Sequence, residues 1–194
     1  MGISDRKKRE KAKMQKLILD TANSLFSKEG LDNISIRKIA DIIEYSPATI
    51  YLHFKDKEEI INNLRDKSTN DFLKKLEEYS FIKDYFGRLK NLSSSWIDFA
   101  ISNPQKYQLI FIKNEEIDND PIFAYVSPIV LQTISENRLQ RMPVREGTLM
   151  LISFLHGLSH LFMTKDFEFR TKVELKEYAE NIINRFLNSL RGGY

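Results

Sequence analysis

A chain of 194 residues, 42% hydrophobic and 11% aromatic, is long enough to bury a core as one domain or as a small head on a larger body. It has no cysteine, which excludes disulfide frameworks, thiolate metal sites and thiol nucleophiles. The formal net charge of +3 is uneven: residues 1–57 hold twelve Lys/Arg against eight Asp/Glu, and the remainder holds eighteen against nineteen. Most of the excess is "RKKREKAK" at 6–13. Such a run suits a polyanion partner for the N-terminal part, and equally a solvated helix start. No apolar run approaches the roughly 18 to 20 residues of a membrane span. The N-terminus lacks the apolar stretch and small-residue cleavage site of a secretory signal. The expectation is a cytoplasmic protein without a membrane partner.

Punctuation along the chain predicts an all-α fold of about nine helices. The first runs over 6–29, with Leu17, Ile18, Ala22, Leu25 and Phe26 on one face and Gly30 as its stop. A short helix at 36–43 follows Ser35, a good N-cap, and the next, 47–54, follows Ser46 and begins with Pro47. Asp56-x-x-Glu59 is a capping box that opens a long helix reaching about 79. Further helices are expected at 82–102, 104–113, 121–140, 143–165 and 172–191, the last opened by the box Thr171-x-x-Glu174. Asn103-Pro104, Asp120-Pro121 and Ser127-Pro128 each read as a cap followed by a first helical proline, whereas Pro143 follows Met142, which is no cap. "KNEEIDND" at 113–120 reads as an acidic loop. No repeat and no Gly/Ser linker interrupts the chain. Residues 1–55 are therefore expected to form a head, mechanically coupled to a body at 56–194.

Within the head, "ISIRKIADIIEYSPATIYLHF" matches two helices joined by a tight turn, the helix-turn-helix pattern. Ile36, Ile39, Ala40 and Ile43 make one apolar face, and Ile50 with Phe54 makes the face that meets it. With those two turned inward, Ala48, Thr49, Tyr51, Leu52 and His53 project sideways or outward. A DNA major groove about 12 Å wide admits one helix, and the first turn of such a helix meets base edges. Pro47, Ala48 and Thr49 occupy that turn. An alanine there can lie against a thymine methyl, and a threonine hydroxyl can donate or accept. Tyr51, His53 and Lys57, with Ser35 and Arg37 at the start of the preceding helix, are phosphate donors in reach. Tyr51 and His53 also suit the rim of a small core.

The segment "SIRKIADIIEYSPATIYLHFKDKEEII" resembles the DNA-binding segment of the tetracycline-repressor (TetR) family of bacterial transcriptional regulators. Ser35, Ile39-Ala40, Ser46, Thr49, Ile50, Tyr51, His53, Phe54, Lys57 and Ile60 fall on the family's pattern. Where the family usually has glycine in the turn this chain has Glu44, followed by Tyr45. A left-handed backbone at Glu44 would cost on the order of 1 kcal/mol relative to glycine. The resemblance implies that Tyr51, His53 and Lys57 bind phosphates and that Arg37, Ala48 and Thr49 lie near bases. It also implies a homodimer, formed by the helices near 143–165 and 172–191, that leaves a double-stranded operator when a small molecule binds the body.

"EGTLMLISFLHGLSHLFM" at 146–163 is apolar on most sides, so it is expected to lie deep or between subunits. A chain whose last helix closes its own core as a monomer is the other arrangement. "NPQKYQLIF" and "HGL" resemble a subgroup with a Trp-His-Gly motif, although no tryptophan precedes His156. Trp96, Phe99, Tyr107, Phe111, Phe154 and His156 are candidate walls of an effector pocket, since aromatic walls with a few polar groups suit an apolar or amphipathic ligand; each also suits plain core. His156 and His160, four apart, can share a metal, but Gly157 replaces the glutamate of a metallohydrolase helix and no carboxylate completes a ligand set. A metal or small-molecule binding protein using those two histidines, without a DNA role, is the alternative function. No metal, cofactor or enzymatic activity is expected.

Overall fold

The computed structural model describes residues 3–111, 119–165, 167 and 171–191, with side chains from residue 5 onward. Most of the expected acidic loop, 113–118, lies outside the described residues. Among the described residues the fold is all-α, with nine helices: α1 Ile3–Glu29, α2 Ile36–Ile42, α3 Pro47–Tyr51, α4 Lys57–Glu77, α5 Tyr85–Ser102, α6 Pro104–Ile110, α7 Pro121–Ser135, α8 Val144–Thr164 and α9 Lys172–Ser189. A 3-10 turn, Leu31–Asn33, follows α1.

The chain forms two compact units, residues 1–68 and 69–194. The division falls within α4, whereas the head expected from sequence ends at 55, just before that helix.

In the first unit, Ile18, Ala22, Leu25 and Phe26 of α1 are buried with Ile34, Ile39, Ala40, Ile50, Phe54, Ile60, Ile61 and Leu64. Spacings of four, three and one put the α1 residues on a single stripe. Leu17, expected on that stripe, stands beside it and is exposed. Gly30 ends α1 with φ +80°, donating to the Phe26 carbonyl at 3.0 Å.

In the second unit α5 is central and packs against α6, α7, α8 and α9. Its buried residues include Phe86, Leu89, Leu92, Trp96, Ile97, Phe99 and Ala100. Asp84 caps this helix through a 3.0 Å bond from the Gly87 amide, which moves its start from the expected 82 to 85. By length and mean hydropathy α8 matches a membrane span, which the sequence reading did not anticipate. Its Leu151, Leu155, Leu158 and Phe162 are instead buried in this unit's core.

Helix α7 departs from expectation twice. Pro128 lies inside it and does not start a helix at Ser127. The proline removes the donor for the Ala124 carbonyl, but Ala124 and Pro128 both lie on the exposed face, where water can serve that oxygen. The helix also ends at Ser135 rather than 140. Asn137 takes φ +54°, Asn137 N donates to the Ile134 carbonyl at 2.9 Å, and Arg138 N donates to the Thr133 carbonyl at 3.1 Å. That bond pair is a Schellman C-cap, and asparagine tolerates its left-handed position better than most residues.

Candidate functional site

The turn of the helix-turn-helix is a second Schellman cap. Tyr45 N donates to the Ala40 carbonyl at 3.0 Å, Glu44 N donates to the Asp41 carbonyl at 3.4 Å, and Glu44 sits at φ +61°. The left-handed backbone foreseen for Glu44 is therefore present, held by bonds that glycine would make without steric cost. Ser35 Oγ caps α2 by accepting from Lys38 N at 3.1 Å, and Ser46 Oγ caps α3 by accepting from Thr49 N at 3.2 Å. The Ser46 and Thr49 hydroxyls also share a hydrogen bond of 3.0 Å.

Helix α3 ends at Tyr51 rather than the expected 54, and together with the turn at 52–54 it has two sides. Ile50 and Phe54 are fully shielded, while Tyr51 is 56% and Leu52 77% exposed. Ser35, Arg37, Ser46, Pro47 and Ala48 are exposed as well, and Thr49 and Lys57 are half-buried. Tyr45, which sequence reasoning did not count among the candidates, adds an exposed phenol beside the turn. Its only signal was its place directly before the cap Ser46. His53 departs from the outward orientation expected of it: it is half-buried, and its Nδ1 is shielded without a hydrogen-bond partner. The reason is position, since His53 lies three residues after Ile50 and one before Phe54. Lys57 opens α4 behind a reciprocal cap, in which Glu59 N donates to Asp56 Oδ1 at 2.8 Å and Lys55 N donates to Glu59 Oε2 at 2.6 Å.

The second unit brings five of the six expected effector residues together around Phe72, which the sequence reading missed. Phe72 lies 4.9 Å, between ring centroids, from both Trp96 and Phe99, and 6.1 Å from Tyr107. Phe111 stands 4.7 Å from Tyr107 and from His156. A polar chain threads these rings: Trp96 Nε1 donates to Tyr107 Oη at 2.8 Å, and Tyr107 Oη lies 3.0 Å from His156 Nδ1. Indole can only donate, so the phenol accepts there and retains one proton, which His156 Nδ1 accepts in the imidazole's Nε2–H tautomer. Burial raises the Tyr107 phenol well above its ordinary range, partly offset by the buried Ser159 hydroxyl and by Trp96. Burial lowers His156, and the nearby His160 lowers it further. Both shifts keep the chain uncharged near neutral pH.

Phe154 does not join this cluster. It stacks on Phe186 of α9, with centroids 3.7 Å apart, because two residues along α8 from His156 is more than half a turn around it. A cleft of about 210 Å³ lies elsewhere in the unit, lined by Tyr79, Ser94, Asp98, Lys176 and Glu180 among others, and none of the six expected residues lines it. No group of three metal-ligating side chains occurs among the described residues, and His160 is exposed.

Residues 18–64 match the family model described as bacterial regulatory proteins, tetR family. Over 180 residues, covering 91% of this chain and 92% of the relative, the sequence is 23% identical to the uncharacterized HTH-type transcriptional regulator YobS of Bacillus subtilis. In fold it is similar to a protein of unknown function from Rhodococcus sp. RHA1, with TM-score 0.77, 16% identity and coverage of 92% of this chain and 95% of that one. It is also similar to AibR in complex with isovaleryl coenzyme A and operator DNA, with TM-score 0.67, 16% identity and coverage of 90% and 98%. A capped, glycine-free turn and a two-sided α3 both fall within one match: residues 18–64 form a segment of the tetR-family kind, in a chain similar over most of its length to an HTH-type transcriptional regulator.

Proposed function

We propose that this regulator is a cytoplasmic, homodimeric repressor that leaves its operator when a small molecule enters the aromatic cluster of residues 69–194. The observation that carries the DNA-binding part is the two-sidedness of α3, with Ile50 turned wholly inward and Tyr51 outward on the next residue. In this reading Pro47, Ala48 and Thr49 meet base edges near Arg37. Ser35, Ser46, Tyr51, His53 and Lys57 hold phosphates. His53 does so with only part of its ring.

A second copy is the proposed cover for α8 and α9. Glu146, Met150, Ser153, Gly157, His160 and Leu161 form one exposed stripe along α8, and a methyl group at Gly157 would meet nothing in the chain. Val173 and Tyr178 of α9 are exposed too. A two-fold dimer suits half-sites about 34–36 Å apart.

For the effector, Trp96, Phe99, Tyr107, Phe111 and His156 are the proposed walls, with Phe154 on the far side of α8. An uncharged polar chain among rings favours an apolar or amphipathic ligand that accepts or donates one or two hydrogen bonds. AibR, of similar fold, has been captured with an acyl thioester and operator DNA, which supports a body of this kind taking a small molecule. Phe72 and Leu76 of α4 belong to the core of residues 69–194, and Ile60, Ile61 and Leu64 of the same helix are buried in the first unit. A ligand that displaces Phe72 therefore acts on a helix with residues in both cores. It shifts the equilibrium only by its difference in affinity for the two states.

Selection of bound sequences from a random duplex library, followed by a screen for compounds that release the selected duplex, tests this reading. A single enriched two-fold motif is expected, together with weaker binding by Tyr51→Ala at unchanged melting temperature. A Tyr51→Ala protein that binds the motif as tightly as the parent removes the proposed role of that face. A monomer in sedimentation, unaltered by Met150→Glu, removes the dimer.

A further inference from the structure

The charge of this chain is partitioned in a way that the helix-turn-helix does not use. Residues 5–13 hold six Lys/Arg against two Asp/Glu, residues 14–68 hold eight against nine, and residues 69–194 hold sixteen against sixteen. Without its first helical turns, the unit that carries α2 and α3 is thus net negative. A protein that binds DNA needs cations on phosphates, because release of condensed counterions drives sequence-independent affinity.

The placement of these cations is unfavourable for the helix itself. Every residue from 5 to 13 is exposed, and the first fully buried residue of α1 is Ile18. Fifteen residues separate Ile3 from Ile18, so α1 extends roughly 22 Å beyond its first core anchor. The first turn of α1 holds Asp5, which suits the helix dipole, but beyond it the like-charged pairs Lys7 with Lys11 and Arg9 with Lys13, four residues apart, repel. Among the described side chains of this run Arg6 finds a carboxylate, on Glu10 at 2.9 Å, while Arg9 Nε donates to the Asp5 carbonyl at 3.3 Å. Lys7, Lys8, Lys11 and Lys13 make no ion pair with any described side chain. Their spread around the helix makes a cationic rod rather than a stripe.

We propose that residues 5–13 of α1 form a second contact to duplex DNA, gripping phosphates outside the helix-turn-helix and supplying most of the electrostatic attraction. This inference rests on the DNA-binding reading above. The family model matches residues 18–64, so the rod lies outside the matched segment. A membrane surface is the other polyanion, but the only apolar residue from 5 to 13 is Ala12, and an interfacial helix needs an apolar face to insert.

The experiment uses the full chain and a random-sequence duplex of about 30 base pairs, with binding measured against salt concentration. Replacing Lys7, Lys8, Lys11 and Lys13 together by glutamine, itself a good helix former, leaves the core untouched. The slope of log affinity against log salt is expected to fall by roughly 2 to 4, with affinity near 0.1 M salt down about a hundredfold. The motif selected from the random library should not change. Replacing the same four lysines by arginine should restore the slope, which separates charge from any loss of helix. An unchanged slope in the glutamine variant, with Tyr51→Ala still weakening binding, overturns the rod alone. Absence of duplex binding by the parent at low salt overturns both the rod and the DNA-binding reading. Lysine-dependent binding to vesicles rich in phosphatidylserine, with duplex binding unaffected by the glutamines, also overturns it.

Discussion

Helix α3 and the aromatic cluster are both built from rings and hydroxyl-bearing side chains, yet they are organised in opposite senses. On α3 the polar and aromatic groups stand in solvent, with Tyr51 56% exposed, and the fold beneath them is completed by Ile50 and Phe54. In the cluster Trp96 and Tyr107 are fully buried, and their polar atoms satisfy one another. The first arrangement is complete before any partner arrives. In the second, the side chains already have partners, and the proposed ligand would have to displace them. Surface substitutions on α3 should therefore change binding and spare stability, whereas substitutions in the cluster should do the reverse first.

The sharpest way to break that contrast is Trp96→Ala. Loss of a fully buried indole should lower unfolding free energy by about 3–5 kcal/mol, read from a denaturant midpoint. A loss under about 1 kcal/mol would mean that the cluster is loosely filled, and the contrast with α3 would fail. Next in size is Tyr107→Phe, which leaves Trp96 Nε1 and His156 Nδ1 without their shared oxygen and should cost about 1–3 kcal/mol. On the head, Glu44→Gly should stabilise by about 1 kcal/mol, because glycine takes φ +61° without a Cβ clash. A destabilised Glu44→Gly protein would show that the side chain itself matters in the turn.

The smallest expected effect is a pH dependence. Burial lowers the His156 pKa below its ordinary value of 6.5, so between the two values the unfolded chain binds more protons than the folded one. Stability should then rise with pH through that window, and fall on acidification below about pH 6.5 until the folded-state pKa is passed. Tyr107 and His160 are the polar neighbours of the imidazole, and neither supplies an anion near neutral pH to reverse the sign. Thermal melts of the parent and His156→Gln proteins across this range should differ in slope.

Helix starts were legible because their chemistry is local. Ser35, Ser46, Asp56, Asp120 and Thr171 each cap the helix predicted from them. Asn103 precedes α6 as expected but makes no capping bond, since its amide donates back to the Phe99 carbonyl at 3.3 Å. Helix ends and interior prolines were less readable. Asn137 is an ordinary polar residue until its φ is known, and Pro128 after Ser127 looks like a start unless the exposed side of α7 is known. Of the cluster, sequence supplied the residues of α5, α6 and α8 but missed Phe72, which lies inside a charged, weakly patterned helix. Phe154 was misplaced because periodicity alone does not say which of two apolar faces meets which neighbour.

The shared hydrogen bond between Ser46 and Thr49 limits what the tip of α3 can offer a nucleotide. Ser46 Oγ already accepts from an amide, and one hydroxyl proton lies between the two oxygens. Whichever oxygen holds that proton, only one other hydroxyl hydrogen is left to point outward. In the proposed complex, with Ser46 toward a phosphate and Thr49 toward a base edge, the pair would offer a single donor accompanied by lone pairs, so an exocyclic amine and a carbonyl presented side by side would suit Thr49 better than two carbonyls.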